Sequence, residues 1–202
     1  MPAAVGDRHT GVSASTPFNL LVDAGAVYLN YGEVSEKLLG ATRGGNVFRV
    51  NQTFRSVPVD GTIGAVNAMT RIINVEATMT VHLLELSAAN LKLAFPGAVS
   101  SPAPVLLPAI VSVHTLIRRS RNIIAADFLK NVALVGTIAG KVAPVICMLY
   151  NALQTDNIQM STSDDSETVT DLIFKGHFDL TNLAIEPWSV WYPSEIDPVP
   201  AP

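Results

Sequence analysis

Four histidines, one cysteine, a small acidic cluster and a run of arginines are the residues of this 202-residue chain whose side chains could carry chemistry. His9, His82, His114 and His177 stand too far apart in sequence to share a metal at the usual ligand spacing. His82 and His177 fall on the polar faces of expected strands, where an exposed or interfacial imidazole is the simpler reading. Cys147 lies in the apolar run Val145-Ile146-Cys147-Met148-Leu149, which suits a buried, inert thiol. A single cysteine also excludes a disulfide framework and a cysteine-based zinc site. Asp164 and Asp165, with Glu167 nearby, could offer carboxylate oxygens to a cation, but their serine- and threonine-rich surroundings read as a solvated turn. The chain has no nucleophile elbow, no dinucleotide fingerprint and no phosphate-cradling glycine loop. Arg118, Arg119 and Arg121 could hold a phosphate, yet pairing with the Asp164 and Asp165 segment of a neighbouring subunit explains them better in an acidic protein. Acid, base and nucleophile do not converge, so the expectation is a non-enzymatic chain that uses no cofactor and no metal.

Composition points the same way. Charged residues make up 15% of the chain and hydrophobic ones 49%. An ordinary soluble domain of this length carries about 50 charged residues, so this one is about 20 short on a monomer surface of roughly 9,000 Å². Such a shortage indicates that much of the surface is covered by partners. The net charge of −4 argues against a dedicated nucleic-acid binder. Charge is also segregated: residues 1–155 sum to +4, and residues 156–202 to −8, with Lys175 their sole basic side chain. The start of the chain lacks the basic-then-apolar pattern of a signal peptide. The apolar window 132–150 is broken by Gly136, Gly140, Lys141 and Pro144, so it reads as two strands and a turn rather than a membrane span.

The elements that must position these side chains are mostly strands. Ile73, Val75, Ala77, Met79, Val81 and Leu83 alternate without a break against Asn74, Glu76, Thr78, Thr80 and His82. Phe48, Val50 and Phe54 alternate with Arg49, Asn51, Thr53 and Arg55 over residues 47–57. The two runs predict a long antiparallel hairpin joined by residues 58–70, with Asp60-Gly61 as its turn signal. A connection that long is more often functional than idle. Ser87 should cap a short helix over 88–95 that Pro96-Gly97 stops. Further strands are expected over 110–117, 132–138, 145–150, 158–161, 171–179 and 188–192. The fold class is therefore mainly β: an antiparallel sandwich or barrel with one short flanking α-helix. The expected organisation is an extended N-terminal arm over 1–18, one β-sandwich domain over 19–193 and a Pro-rich C-terminal tail over 194–202.

Seven stretches in order over residues 20–193 resemble the major tail tube proteins of long, non-contractile-tailed bacteriophages. They begin with Asp23-Ala24-Gly25-Ala26-Val27-Tyr28-Leu29, then Thr42-Arg43-Gly44-Gly45 before the first long strand, then Val59-Asp60-Gly61. The alternating strand of residues 73–83 follows, with Leu83-Leu84-Glu85-Leu86 running into Ala89-Asn90-Leu91. Asn151-Ala152-Leu153, Phe174-Lys175-Gly176-His177-Phe178 and Trp191-Tyr192-Pro193 complete the series. The segment 100–110 and the N-terminal arm match no part of the pattern.

The resemblance implies a structural virion protein. Six copies close a ring, sheets join edge to edge into an inner barrel, and rings stack head to tail into the tube through which double-stranded DNA passes without specific binding. The partners implied are further copies of the chain, a tape measure protein and the tail terminator and tip proteins, with no membrane; the location is the virion tail, after assembly in the host cytoplasm. The alternative readings are a contractile-tail or type VI secretion-like tube protein of the same fold, or a head–tail joining or capsid-decoration protein, which would form rings or trimers that do not stack. Asn74, Glu76, Thr78, Thr80 and His82 are the expected lumen row, because a barrel wall has one polar and one packed face. Arg49 and Arg55 conflict with an acidic lumen; either Glu76 neutralises one of them or that face lies at a subunit contact. The connection is the expected ring-to-ring contact, through Pro58, Asp60, Gly61, Ile63, Val66 and Met69, with residues 1–17 and the 118–121 arginines as secondary candidates.

Overall fold

Period-two sequence becomes antiparallel strand through most of the computed structural model, which describes residues 12–13, 15–23, 25–102, 115–119, 122–160, 162, 164–165 and 167–194. The strands are β1 (Ala26–Leu29), β2 (Lys37–Leu38), β3 (Thr42–Ser56), β4 (Thr70–Leu83), β5 (Ala98–Pro102), β6 (Thr115–Arg119), β7 (Leu129–Gly136), β8 (Val145–Gln154), β9 (Thr170–Lys175) and β10 (Trp188–Trp191), with one helix, α1 (Ala88–Leu93). Short 3-10 turns lie at Thr16–Asn19, Asn67–Met69 and Ala125–Asp127. No helix among the described residues is long and apolar enough to cross a membrane.

Two layers face each other. One holds β2, β1, β7, β8 and β10 in that order; the other holds β9, β4 and β3, and the far end of β8 joins it through Leu153 and Gln154, opposite Lys175 and Phe174. Among the described residues the strand path ends freely at β2 and at β3, so the expected choice between sandwich and barrel resolves as an open sandwich. Between the layers lie Val27, Leu29, Val132 and Leu149 from one side and Ala77, Met79, Val81, Leu83, Leu172 and Phe174 from the other, all buried. Alternation makes this possible, since every second residue of a strand reaches the same face.

The joint between the layers sits at Asn151. Its φ of 48° is left-handed, a conformation that asparagine tolerates better than most residues, and it turns β8 from one sheet toward the other. Asn151 Nδ2 donates to His177 O at 3.2 Å, and His177 Nδ1 meets Asn151 O at 3.1 Å, which makes Nδ1 the protonated nitrogen. The His177 ring stands edge-on to Phe128 at 5.2 Å. Just before it, a Cβ on Gly176 would lie 2.7 Å from the Pro187 carbonyl oxygen, so only glycine lets β9 pass so close to the approach to β10.

Local chemistry also sets the ends. Ser87 Oγ accepts the Asn90 N–H at 3.1 Å and starts α1 as expected. The buried Asn90 amide donates to Leu39 O (3.0 Å) and Glu85 O (3.2 Å), tying the helix to the sandwich rim. Asp23 accepts from Gly25 N–H at 3.0 Å and from Thr137 N–H at 3.2 Å, joining the entry to β1 with the turn after β7. Hydrogen bonds from Thr137, and then Gly25, hold its carboxyl below the usual carboxylate range.

Several boundaries moved. Residues 158–160 form no strand: Gln154 Nε2 donates to Asp156 O at 2.8 Å, the chain turns at once, and Ile158 packs on the core from a loop. The strand expected over 171–179 stops at Lys175, where Gly176 crosses Pro187. β6 begins at Thr115, and residues 110–114 of the strand expected there lie outside the described residues, as do residues 1–11 of the arm and 195–202 of the tail.

Two outcomes follow from these joints. Asn151→Val should cost about 1–3 kcal/mol of stability, because a β-branched residue is strained at this φ, whereas Asn151→Gly should cost less; urea melts of both variants check the order. A carboxyl with a lowered folded pKa stabilises the fold above its unfolded value and loses that contribution as pH falls through the folded one. The wild-type chain should therefore lose stability more steeply than Asp23→Asn as pH drops below about 4, in thermal melts taken across that range.

Candidate assembly surface

The β3–β4 hairpin is longer than the core it covers. Twelve residue pairs join the strands, from Thr42 opposite Leu83 to Ser56 opposite Thr70. Only the end of β4 nearest Leu83 alternates between buried and half-buried residues; from Thr70 to Asn74, and along β3 from Asn51 to Ser56, both faces are exposed. The projecting half thus has the strand pattern without the packing that normally accompanies it.

Its two faces differ sharply. On the core-side row, past Phe48 and Val50, stand Phe54, Ile72 and Ile73, exposed by 58%, 55% and 59%. A bulge gathers them: the register steps from Thr53 opposite Asn74 to Phe54 opposite Ile72, leaving Ile73 extra. Burial of a Phe or Ile side chain stabilises by about 1.5–3 kcal/mol when complete, and at these three positions half or more of that contribution is unrealised. On the other face Arg55 lies directly opposite Arg71, a like-charge pair that weakens an isolated hairpin.

The expected lumen row does share one face. Asn74, Glu76, Thr78, Thr80 and His82 project from β4 away from the core, beside Thr53, Asn51, Arg49 and Val47 of β3, with Lys175, Ile173 and Asp171 of β9 opposite the last three of the row. Glu76 pairs with Lys175 at 3.1 Å rather than with either Arg49 or Arg55. His82 Nδ1 meets Asp171 Oδ1 at 2.6 Å, and Arg43 pairs with Glu167 at 2.6 Å at the strand's entry. That partner lowers the Glu167 carboxyl pKa after its own backbone N–H does. The row is therefore polar and largely self-paired, while Arg49, Arg55 and Arg71 have no ion-pair partner among the described residues.

The connection spans residues 57–69. Thr62 N–H and Oγ1–H both bond to Val59 O, at 3.2 and 2.8 Å, and Gly61 takes the left-handed φ of 87° that this turn requires. Pro58, Asp60 and Ile63 are exposed, Ile63 fully at 107%, whereas Val66 and Met69 are half-buried beside the 3-10 turn. Arg118 and Arg119 lie exposed on β6, opposite Val99 and Ala98; Arg121 lies outside the described residues. Asp164 and Asp165 are exposed in the loop before β9.

Other candidate chemistry stays apart. No group of three histidine, cysteine, aspartate or glutamate side chains among the described residues is placed to hold a metal ion. Burial raises the pKa of the half-buried Cys147 thiol. His9 and His114 lie outside the described residues.

Sequence reasoning missed the open edges. Among the described residues β3 has no neighbour along its outer side, β10 none beyond β8, and β2 ends its sheet. Alternation was the available signal for the strands, but it carries no information about which strand pairs with none.

No family model matches this chain, and no curated protein does. Among solved structures it is similar to a chain in the virion of a native gene transfer agent particle, at 9% identity over 84% of this chain and 96% of that one, with a TM-score of 0.42. It is also similar to a chain in the tail of an empty gene transfer agent particle with C6 symmetry, at 10% identity over 77% and 92%, TM-score 0.43. A third is a chain of the six-fold symmetrised baseplate of the anti-feeding prophage, at 10% identity over 77% and 89%, TM-score 0.39. A likeness this distant leaves the role of the chain to be argued from its own residues.

Because the projecting half packs against nothing described, Phe54→Ser and Ile72→Ser should each leave the melting of the dilute chain within about 0.5 kcal/mol of wild type. Met79→Ala, inside the core, should cost about 2–5 kcal/mol in the same assay.

Proposed function

We propose that this chain is a phage tail tube subunit: a structural virion protein whose copies close into six-membered rings that stack head to tail around a channel for double-stranded DNA. The observation that carries the reading is the hairpin. Fifteen residues of β3 present an edge that no strand among the described residues pairs, and the half of the hairpin beyond the core is apolar on one face and cationic on the other. Such an edge invites pairing with another chain, and ring closure satisfies every copy's edge without leaving a growing end. The same closure covers the apolar triplet and accounts for the low charge content.

In this arrangement Asn74, Glu76, Thr78, Thr80 and His82 line the channel. Neutral hydroxyls and amides, and carboxylates already paired, offer phosphate little purchase, so DNA slides rather than sticks. Arg49, opposite Thr78 and without an ion-pair partner among the described residues, stays beside the row as its exposed cation. Arg55 and Arg71 lie beyond the row, in the half of the hairpin that a neighbouring copy covers. Pro58, Asp60, Gly61, Ile63, Val66 and Met69 meet the next ring. Arg118, Arg119 and Arg121 face the Asp164 and Asp165 loop of an adjacent subunit. The tube belongs to a non-contractile tail, assembled in the host cytoplasm around a tape measure protein and closed by terminator and tip proteins. No catalytic step, cofactor or metal enters this role.

Electron microscopy of the purified chain at rising concentration tests the reading. Hollow tubes of stacked six-fold rings are expected, and Phe54→Ser should raise the concentration at which they form by about tenfold, the equivalent of 1.4 kcal/mol. Discrete rings that never stack would overturn it in favour of a joining or decoration protein.

A further inference from the structure

Between α1 and the rim of the sandwich lies a cavity of about 520 Å³, lined by Leu93, Phe95, Leu129 and Leu153 among other apolar residues. Three charged side chains border it: Lys37, Lys92 and Asp127. The Asp127 carboxylate is engaged, accepting the Ile124 N–H at 2.8 Å. Lys37 and Lys92 have no ion-pair partner among the described residues. An apolar hollow with two uncommitted cations at its mouth fits a short peptide that carries both aliphatic and acidic side chains.

The chain itself supplies such a peptide. Residues 195–202 read Glu195-Ile196-Asp197-Pro198-Val199-Pro200-Ala201-Pro202: two acids flank Ile196, and prolines restrict the rest to extended conformations that lose little entropy on binding. We propose that this segment of one copy docks in the cavity of the next, with Glu195 and Asp197 meeting Lys37 and Lys92 and Ile196 entering the apolar hollow.

Geometry decides between the same copy and another. Pro193 O accepts from Lys141 Nζ at 2.6 Å, and Trp191 lies opposite Ile146, so the segment departs from the end of the sandwich where β7 passes into β8. The cavity lies at the other end, at Leu129 and Leu153. The eight residues of β7 put Leu129 about 24 Å from the end where the segment departs. Lys37, level with Val132 about 13 Å along the strand, lies four strand spacings across the sheet from β10, about 19 Å to the side. Asp197, three residues past Ser194, reaches about 10 Å at full extension, so neither acid meets the lysines of its own chain. A source at one end and a receptor at the opposite end form a head-to-tail contact, which adds one copy after another along an axis. The pairing thus rests on the stacking proposed above and names a contact that holds it.

A fluorescent peptide of residues 193–202, titrated with the dilute full-length chain, tests it by anisotropy. Saturable binding is expected, weakened at least tenfold by Lys37→Glu with Lys92→Glu and weakened again as salt rises from about 50 to about 500 mM. A peptide carrying Glu195→Lys and Asp197→Lys should bind the wild-type chain poorly and regain affinity for the doubly reversed one, a rescue that a misfolded variant would not give. Absence of saturable binding, or binding indifferent to both reversals, overturns the pairing. Tubes built by a chain that does not bind the peptide overturn the pairing and leave the tube reading standing. Charge-dependent binding by a chain that never stacks sustains the pairing and removes the tube reading.

Discussion

The left-handed turn at Asn151 is the constraint on which the rest of the structure depends. β8 spends most of its length in one sheet and its last residues in the other, and a strand shared this way must change direction without losing its hydrogen bonds. Asn151 and His177 meet that demand by bonding reciprocally, side chain to backbone in both directions. Once the corner is set, β9 runs on the second layer, β4 pairs with β9, and β3 pairs with β4. The position of the hairpin is therefore inherited from a corner well removed from its tip.

That inheritance explains why half of the hairpin lies past the core. β9 is six residues long and β4 fourteen, so β4 outruns the strand that seats it. Where β9 pairs, alternation separates a buried row from a polar one; a few residues beyond it, from Asn74 back to Thr70, both rows are exposed although the strand continues. The bulge at Ile73 then gathers three apolar side chains on one side. Backbone hydrogen bonds between β3 and β4 hold this half together, and the apolar contribution that would complete it has to come from another surface.

Charge is divided with the same economy. Glu76 with Lys175 and His82 with Asp171 lie on exposed polar surface, where such pairs contribute at most about 1 kcal/mol each and are screened by salt. Their larger effect is on what the surface attracts, since a paired charge has little left to offer a phosphate or a stray partner. Cations without an ion-pair partner among the described residues include Arg49 beside the row, Arg55 and Arg71 at the projecting end, and Lys37 and Lys92 at the cavity mouth. With a strongly acidic final quarter in every copy, a contact between copies can satisfy charges that one copy leaves open.

Much of the local structure was legible in the residues alone, because its causes are local. The alternation from Ile73 to Leu83 declared a half-buried strand, Ser87 with Pro96-Gly97 delimited a helix, and an Asp-Gly pair marked the turn in the connection. The strand expected at 158–161 failed because a short apolar run carries no record of whether a neighbouring edge is free to receive it. Asn151-Ala152-Leu153 and Lys175-Gly176-His177 stood in the sequence as unrelated stretches, and only folding brings them together as one corner. The partner of Glu76 was likewise undecided until β9 was seen to place Lys175, not an arginine of β3, within reach of its carboxylate. Side-chain periodicity is a property of neighbours along the chain, so sequence alone determined the long strands, the helix and the polarity of their faces. Which edges stay open, which apolar row outruns the core and which cations are left unpaired depend on contacts between residues far apart in sequence, and those only the tertiary structure decided.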